Sequence, residues 1–459
     1  MSADSPLDPG RRYATLTLLR GALTALALTL VFGLLAALYT IPALAPVFQR
    51  FGLDLRQLRP LHDTFASCWI FLGGATVVHH FLGRRAGPMT GADRWRLQIQ
   101  LVAWAAAGLG ILVTLLFRIG TGREYLGFHP ALSALIVVGW LCYVVNFFRV
   151  VAPTFWSEPV YVTMWGVGFL FFLVTFAEQH AYLIPGIFAD PIRDLQIQWK
   201  ATGTLVGSYN LFVYGSLSYA TVTLSGDDRY ARSGTAYALL GVGLLNSFTN
   251  FGHHTYHLPQ RPLVHWISFV VSMTEIIVLA RAVLDLWRVT RDHRGGLSPV
   301  TTAFAAAKWW TTVILATAIL ISIPPVNALV HGTYLVTGHA MGATIGIDTM
   351  ILLGAIVWIL AETTGRETGR AGPDPAMLRH AILGLNVGVA VLVGWLHVAG
   401  LATALTRAGL GPDATYVLPP WLATSQGILL LAGGCLTVWF GAALLIRVAP
   451  TAFRPTRQG

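Results

Sequence analysis

Apolar residues fill most of the chain in long runs, without the strict alternation of a half-buried strand or the single stripe of a surface helix. Each run matches the roughly 20 residues that an α-helix needs to cross a bilayer. The loops between the runs are short and contain Gly, Pro and Arg. Twelve spanning segments are predicted, at residues 15–42, 61–83, 97–118, 130–152, 160–184, 200–224, 233–257, 263–287, 300–323, 330–360, 378–404 and 422–446. The pattern predicts an all-α polytopic membrane protein that forms a single integral membrane domain over residues 1–459.

Composition supports a membrane protein. Hydrophobic residues make up 55% of the 459 positions and charged residues only 11%, whereas a typical soluble protein has about 25% charged residues. The formal net charge of +10 is expected in loops on one side of the bilayer, so we do not interpret it as a nucleic-acid-binding signal. The three cysteines have no CxxC spacing and lie in apolar segments, which indicates small buried side chains.

Arginine distribution predicts the orientation. Loops and tails on the side of the N-terminus together hold about twice as many Arg and Lys residues as loops on the other side, and Arg84, Arg85 and Arg149 are examples. Positively charged loops usually stay in the cytoplasm. The chain is therefore expected in the lipid bilayer of a bacterial inner membrane with both termini cytoplasmic.

The segment 330–342 carries three side chains able to bind iron, His331, His339 and Met341. A helix turns about 100° per residue, so His339 and Met341 point about 200° apart, to opposite faces. This helix could therefore hold one cofactor on each side.

Other histidines fall at the same predicted depth as His339. His62 opens the second segment, and His253 and His254 close the seventh, all near the outer face. Histidine inside a membrane is costly and is treated as functional by default. Each one alone also fits a polar helix end, but their common depth favours a shared cofactor site. His79 and His80 are interpreted as interfacial residues at the cytoplasmic end of the second segment.

Together these residues give the chain a family resemblance. His62 at a helix start, Gly252-His253-His254-Thr255-Tyr256, and His331-Gly332-Thr333 followed by Gly338-His339 resemble the catalytic subunit of the haem–copper oxidase superfamily. Within it, the chain is most similar to the nitric oxide reductase large subunit. The resemblance covers nearly the whole chain and implies a bundle like subunit I of that superfamily.

The resemblance implies two haem groups. His62 matches a ligand of a low-spin haem b, and His339 matches the ligand of a high-spin, b-type catalytic haem. The residue two positions after His339 matches the other low-spin ligand, which is histidine in the family and Met341 here. Histidine–methionine ligation would raise the reduction potential relative to two histidines.

The resemblance also implies a non-haem metal, iron or copper, bound by His253 and His254. A third family ligand, a histidine, is replaced by Asn210, and the glutamate four residues later is replaced by Tyr214. Residues four apart share a helix face, so both are expected at the site. Glu275 matches a glutamate near the active site and is expected to carry protons.

These features predict a subunit that reduces nitric oxide to nitrous oxide. The alternatives are dismutation of nitric oxide to nitrogen and oxygen, oxygen reduction as suggested by Tyr214, and a non-catalytic haem-binding gas sensor. No CxxCH haem-attachment motif occurs. An electron-donating small subunit of the cytochrome c or cupredoxin type is therefore expected, and the substrate is NO or O2.

Overall fold

The computed structural model describes residues 7–123, 125–249, 254–291, 298–368, 374–410 and 420–453. Within these ranges the chain is helical, and no strand occurs beyond one isolated bridge between Gly120 and Phe128. The long helices are α1 (Pro9–Tyr39), α2 (Leu55–Arg85), α3 (Gly91–Leu116), α4 (Pro130–Val151), α5 (Val160–Gln179), α6 (Pro191–Ser225), α7 (Gly234–Thr249), α8 (Pro262–Met273), α9 (Glu275–Arg291), α10 (Pro299–Ser322), α11 (Tyr334–Met341), α12 (Thr349–Thr368), α13 (Pro375–Leu410) and α14 (Pro420–Ala452).

The fold class expected from the apolar pattern is confirmed. Ten spans in the described residues are long and apolar enough to cross a membrane, with α8–α9 and α11–α12 each counted as one span. The remaining two predicted segments correspond to α6, which has 35 residues, and α7, which has 16. The helices of the described residues are therefore consistent with the twelve predicted segments.

Two predicted segments are interrupted. The eighth predicted segment breaks at Thr274, between α8 and α9. The tenth does not start at Val330, because His331 ends a short helix, Pro324–Val330, and Gly332 then adopts a positive φ of 71° that favours glycine. Thr333 caps the new helix through its side chain.

A π-helical stretch, Gly342–Asp348, separates α11 from α12. Two glycines within it lie against bulky side chains of α10: a Cβ on Gly342 would collide with Ile314, and one on Gly346 with Trp310. Short π-helical insertions are frequent at functional sites. This one directly follows Met341.

The helices that carry the candidate ligands lie centrally. The spans of α2 and α11–α12 are each 72% buried, compared with 28% for α3 and 33% for α10. Asp54 starts α2 with a capping box. Its carboxylate accepts hydrogen bonds from backbone N–H groups of the first turn, and its own backbone N–H donates to the side-chain oxygen of Gln57. Central position and a fixed start hold His62 at one depth.

The two ends of the bundle differ in charge. We call the end at which α1 and α3 begin and α2 and α4 finish the arginine-rich end, after Arg11, Arg84, Arg85, Arg96 and Arg149. Several of these arginines pair with acids, as in the 2.9 Å contact of Arg85 with Glu158. We call the opposite end the His62 end. The positive-inside rule predicts that the arginine-rich end faces the cytoplasm.

Candidate functional site

The His62 ring is fixed by the backbone of the neighbouring helix. Its Nδ1 lies 2.9 Å from the carbonyl oxygen of Thr29 in α1. A carbonyl only accepts, so Nδ1 carries the proton and Nε2 keeps its lone pair. Gly33, one turn along α1, makes room for the ring, because a Cβ there would lie 2.7 Å from Nδ1.

The His339 ring is fixed in the same tautomer by a side chain. Its Nδ1 lies 3.1 Å from the hydroxyl oxygen of Thr317 in α10. That hydroxyl also bonds the Ile314 carbonyl at 3.0 Å, and a carbonyl can only accept. The hydroxyl proton is therefore used, Thr317 accepts from Nδ1–H, and Nε2 of His339 keeps its lone pair.

Met341 lies at the last turn of α11, where the π-helical stretch begins. Its side chain is half-buried and packs against the central hydrophobic core. His339, two residues earlier, is held by α10 instead. The orientation of His339 is thus set by α10, and the opposite orientation of Met341 stays a prediction.

His254 lies against α6 at Gly203, where a Cβ would be 3.0 Å from the imidazole Cδ2. Asn210 is seven residues further along α6, or about 10 Å along the axis, and Tyr214 is about 16 Å along it. The structure therefore does not bring His254 to the level of Asn210 or Tyr214. His254 instead lies within electrostatic range of His331 and His339.

Two of the predicted site residues are not fully described by the structure. His253 lies outside the described residues. The backbone of Glu275 begins α9, but its side chain lies outside what the structure describes. Among the described residues, no group of three His, Cys, Asp or Glu side chains is arranged to hold a metal ion. The described donors do not by themselves form the predicted non-haem metal site.

Comparison with known proteins supplies the family. The chain matches the family described as "Cytochrome C and Quinol oxidase polypeptide I" over residues 14–431. The chain belongs to this family. It is therefore a membrane oxidoreductase subunit of the haem–copper oxidase superfamily.

A solved structure shows the same fold. It is described as "Cryo-EM structure of a heme-copper terminal oxidase dimer provides insights into its catalytic mechanism". The alignment has a TM-score of 0.76 and 15% sequence identity, and it covers 98% of this chain and 86% of that one. At this identity the likeness concerns the polypeptide I fold and not the substrate.

His62 and His339 fit the haem groups that polypeptide I family members bind. Haem iron takes a neutral imidazole nitrogen, and the other ring nitrogen usually donates to an acceptor that orients the ring. Thr29 and Thr317 are such acceptors here. The non-haem metal lacks an equivalent set among the described side chains.

Sequence reasoning missed the residues that orient the rings. Thr29 contributes only a backbone carbonyl and Gly33 only empty space, so neither leaves a pattern in the sequence. Thr317 lies in a run of apolar and small residues, where a threonine usually bonds its own helix. Its second contact depends on how α10 packs against α11, which the sequence does not specify.

His397 is a further histidine of the site region that the sequence left unassigned. Its Nδ1 donates to the Val393 carbonyl at 2.7 Å, and its Nε2 is buried without a hydrogen-bond partner. The ring packs against Gly338, next to His339, where a Cβ would lie 2.8 Å from Nδ1. His397 thus fills the space that Gly338 leaves open.

Polar residues also lie at the His62 end of the bundle. The rings of His257 and His331 stack with centroids 4.3 Å apart, and Arg407 donates to the His331 carbonyl at 3.2 Å. Burial lowers the pKa of His257, which lies in the connection between α7 and α8. A neutral His257 stacks on His331 without charge repulsion. His331 therefore has a role in packing the His62 end.

Proposed function

We propose that this chain is the catalytic subunit of a respiratory gas reductase that converts nitric oxide to nitrous oxide. The observation that carries the proposal is the shared state of His62 and His339. Each Nδ1 is bound to an acceptor on a neighbouring helix, and each Nε2 keeps its lone pair. Two such imidazoles toward the His62 end of one bundle suit one haem for electron entry and one for catalysis.

Each proposed haem is assigned to particular ligand residues. His62 and Met341 would hold a low-spin haem b, and His339 would hold a high-spin, b-type haem. When bound, these groups would supply electron storage and a site for a diatomic gas. The chain's own contribution is to orient the rings, through Thr29 and Thr317, and to exclude water by burying α2 and α11–α12.

Nitric oxide is favoured over oxygen by the positions of Asn210 and Tyr214. Oxygen-reducing relatives of the type that Tyr214 resembles carry a histidine four residues earlier, and this chain has Asn210 there. Tyr214 also lies about 16 Å along α6 from the level of His254. Reduction of nitric oxide needs only two electrons and two protons for two NO molecules, and it yields one nitrous oxide and one water.

Oxygen reduction is the second candidate. It is favoured by the family match, whose description names cytochrome c and quinol oxidases. Under this proposal Tyr214 would give up a proton during the reaction. Under either proposal Glu275 would pass protons toward the site from α9.

His253 and His254 are proposed to hold a non-haem iron or copper ion, and Asn210 would have to come about 10 Å closer along α6 to the level of His254 to be their third ligand. One support is the placement of His254 within electrostatic range of His339. Imidazole is a better ligand for these metals than an amide oxygen, and this chain offers only two imidazoles for the ion. We therefore expect the ion to be bound more loosely than in relatives with three histidines.

Electrons must reach His62 from another protein. We propose a small subunit of the cytochrome c or cupredoxin type that docks at the His62 end in a bacterial inner membrane, with both termini cytoplasmic. Arg407 and the His257–His331 pair lie at this end.

Purified protein supplied with a chemical electron donor and doubly isotope-labelled nitric oxide tests the function. Mass spectrometry of the gas should show labelled nitrous oxide. Labelled nitrogen together with oxygen would replace this proposal by dismutation. Oxygen consumption without NO turnover would support the oxidase candidate. Bound haem without turnover of either gas would indicate a sensor.

A further inference from the structure

Two adjacent histidines of α2 form a second polar site at the arginine-rich end. His79 is 1% exposed and His80 is 0% exposed, so the expectation that they are interfacial is wrong. They lie about 26 Å further along α2 than His62. They therefore belong to a different region from the candidate haem ligands.

His79 points into the cleft between α2, α3 and α4. Its ring stacks on Tyr143 with centroids 5.0 Å apart and an angle of 13°, and Gln100 of α3 lies beside it. Gln100 and Tyr143 are both 0% exposed. The side chains of His79 and Gln100 are close enough for a weak hydrogen bond. At normal hydrogen-bond geometry, however, the two ring nitrogens of His79, the two amide atoms of Gln100 and the Tyr143 hydroxyl are all buried without a partner.

Burying five polar atoms without hydrogen-bond partners in one cleft lowers the stability of the folded state. Each buried polar group that stays unsatisfied costs about 1–3 kcal/mol. Native proteins satisfy nearly all of these groups with protein atoms or ordered water. These five atoms therefore need further hydrogen-bond partners, and ordered water is the usual partner of such groups.

His80 points to the other side of α2, toward α6 and α12. Its Nδ1 lies 3.1 Å from the Tyr219 hydroxyl. Its Nε2 is buried without a hydrogen-bond partner and lies 3.8 Å from a carboxylate oxygen of Glu362. Glu362 pairs with Arg84, and both side chains are partly exposed. A titratable carboxylate thus connects a buried imidazole to the surface of this end.

The donor and acceptor capacity of these buried atoms indicates which kind of molecule can bind them. A neutral imidazole, a carboxamide and a phenol each offer both a donor and an acceptor. A metal ion would need lone pairs only, and an anion would need donors only. Water meets both kinds of group and forms two to four bonds in such sites.

We propose that His79 and His80 form a hydrated proton-exchange region at the arginine-rich end, with water at His79 on the α3–α4 side of α2 and proton exchange at His80 on the α6–α12 side. Water fills the His79–Gln100–Tyr143 cleft, and Glu362 exchanges protons between the aqueous phase and Nε2 of His80. In each exchange the carboxyl group gives one proton to the imidazole and later recovers it, so no other reactant is needed. The charged and titratable groups that face the pair are Arg11 and Tyr143 at His79, and Arg84, Tyr219 and Glu362 at His80. This site does not depend on which gas the protein reduces.

High-resolution cryo-electron microscopy of the full chain in lipid nanodiscs tests the hydration. At least one ordered water should lie within hydrogen-bond distance of the His79 ring, the Gln100 amide and the Tyr143 hydroxyl. The proposal is overturned if these side chains bond each other and the cleft contains no solvent density.

Histidine ring-proton exchange tests the role of Glu362. In ¹⁵N-histidine-labelled protein in nanodiscs, transferred to D2O, solid-state NMR follows each ring, and the His80 signal is assigned by its loss in His80→Gln. Exchange at His80 should finish within minutes and should slow at least about tenfold in Glu362→Gln, because the carboxyl group that gives and recovers the proton is lost. Glu158→Gln, which breaks the neighbouring pair with Arg85, should leave the rate unchanged.

Two results would overturn this part of the proposal. One is exchange over hours in the unmodified protein, and the other is an equal rate in Glu362→Gln and Glu158→Gln. Glu362→Asp serves if the amide variant does not fold, because it keeps a negative charge for Arg84 while withdrawing the carboxylate from His80. It should slow exchange by an intermediate factor, and an unchanged rate would again contradict the proposal.

Discussion

The Nδ1–H of His62 donates to the carbonyl oxygen of Thr29 at 2.9 Å. This bond crosses from α2 to α1 and fixes both the rotation and the tautomer of the ring. It uses a backbone atom, so no side-chain substitution at position 29 removes it directly. The space for the ring, however, depends on a single side-chain position, Gly33.

Gly33→Ala should displace His62. The new Cβ would lie 2.7 Å from Nδ1, closer than nonbonded atoms allow, and α1 and α2 are too closely packed to separate. The low-spin haem spectrum should be lost or strongly shifted. Absorption and electron paramagnetic resonance spectra of the purified variant measure this.

Gly108→Ala is the matched control. A Cβ at Gly108 meets no atom within 4 Å, and alanine favours helix by about 1 kcal/mol. Its spectra should equal those of the unmodified protein. Identical spectra for Gly33→Ala would mean that His62 does not bind haem.

Thr317→Val should change the electronic character of His339. The variant keeps the shape of the side chain but removes the acceptor of Nδ1–H, and leaving a buried donor unpaired costs about 1–3 kcal/mol. Resonance Raman spectroscopy should show a shifted iron–histidine stretch. Thr312→Val removes a hydroxyl on the exposed face of the same helix and should show no shift. Equal frequencies in the two variants would exclude a role for Thr317.

The histidines of the candidate site could be identified from the sequence, because a polar residue within an apolar segment is recognisable there. His62 and His339 are polar groups in apolar segments at matching depth. In an α-helix, residues 339 and 341 point about 200° apart. Fold class followed from segment length alone. Both are local properties, so neither requires knowledge of how helices pack.

The relations between helices were not predictable in this way. Asn210 and His254 were expected together, but the contact of His254 with Gly203 sets a register about two turns away from Asn210. His79 and His80 were expected at the surface because they are near a helix end. They are buried because α3, α4, α6 and α12 surround that end of α2.

Met341→His should lower the reduction potential of the low-spin haem. Imidazole donates more strongly than a thioether and stabilises the oxidised iron. A spectroelectrochemical titration measures the potential, and Met341→Leu, which cannot ligate, should lose the low-spin signal. If the spectrum and the potential are the same in all three proteins, Met341 is not a ligand.

Asp54→Ala should destabilise the start of α2 in a pH-dependent way. Its hydrogen bond from Arg56 lowers the pKa of the Asp54 carboxyl below its ordinary value of 3.8. The folded state therefore gains stability above about pH 3.8, and the gain is lost as pH falls through the lowered pKa. An N-cap contributes about 1 kcal/mol, and the exposed ion pair adds little.

Thermal unfolding of both proteins in detergent at pH 7, 4.5 and 3 measures this difference. The gap between Asp54→Ala and the unmodified protein should persist at pH 4.5 and shrink at pH 3. Asp54→Asn, which keeps a capping side chain, should lose less stability at pH 7. A gap that stays constant down to pH 3 would show that the carboxylate charge does not act here.

Asn210→His should decide whether Asn210 is a metal ligand. If residue 210 faces the metal with His253 and His254, a third imidazole replaces a weak amide donor and tightens binding. Metal content per chain, measured by mass spectrometry after dialysis against a chelator, rises in that case, whereas the contact of His254 with Gly203 predicts no change. Val206→His places a histidine at an exposed position of the same helix and should retain no additional metal. Equal metal content in the two variants would mean that His254 stays at the level of Gly203 and that Asn210 does not contribute to a metal site.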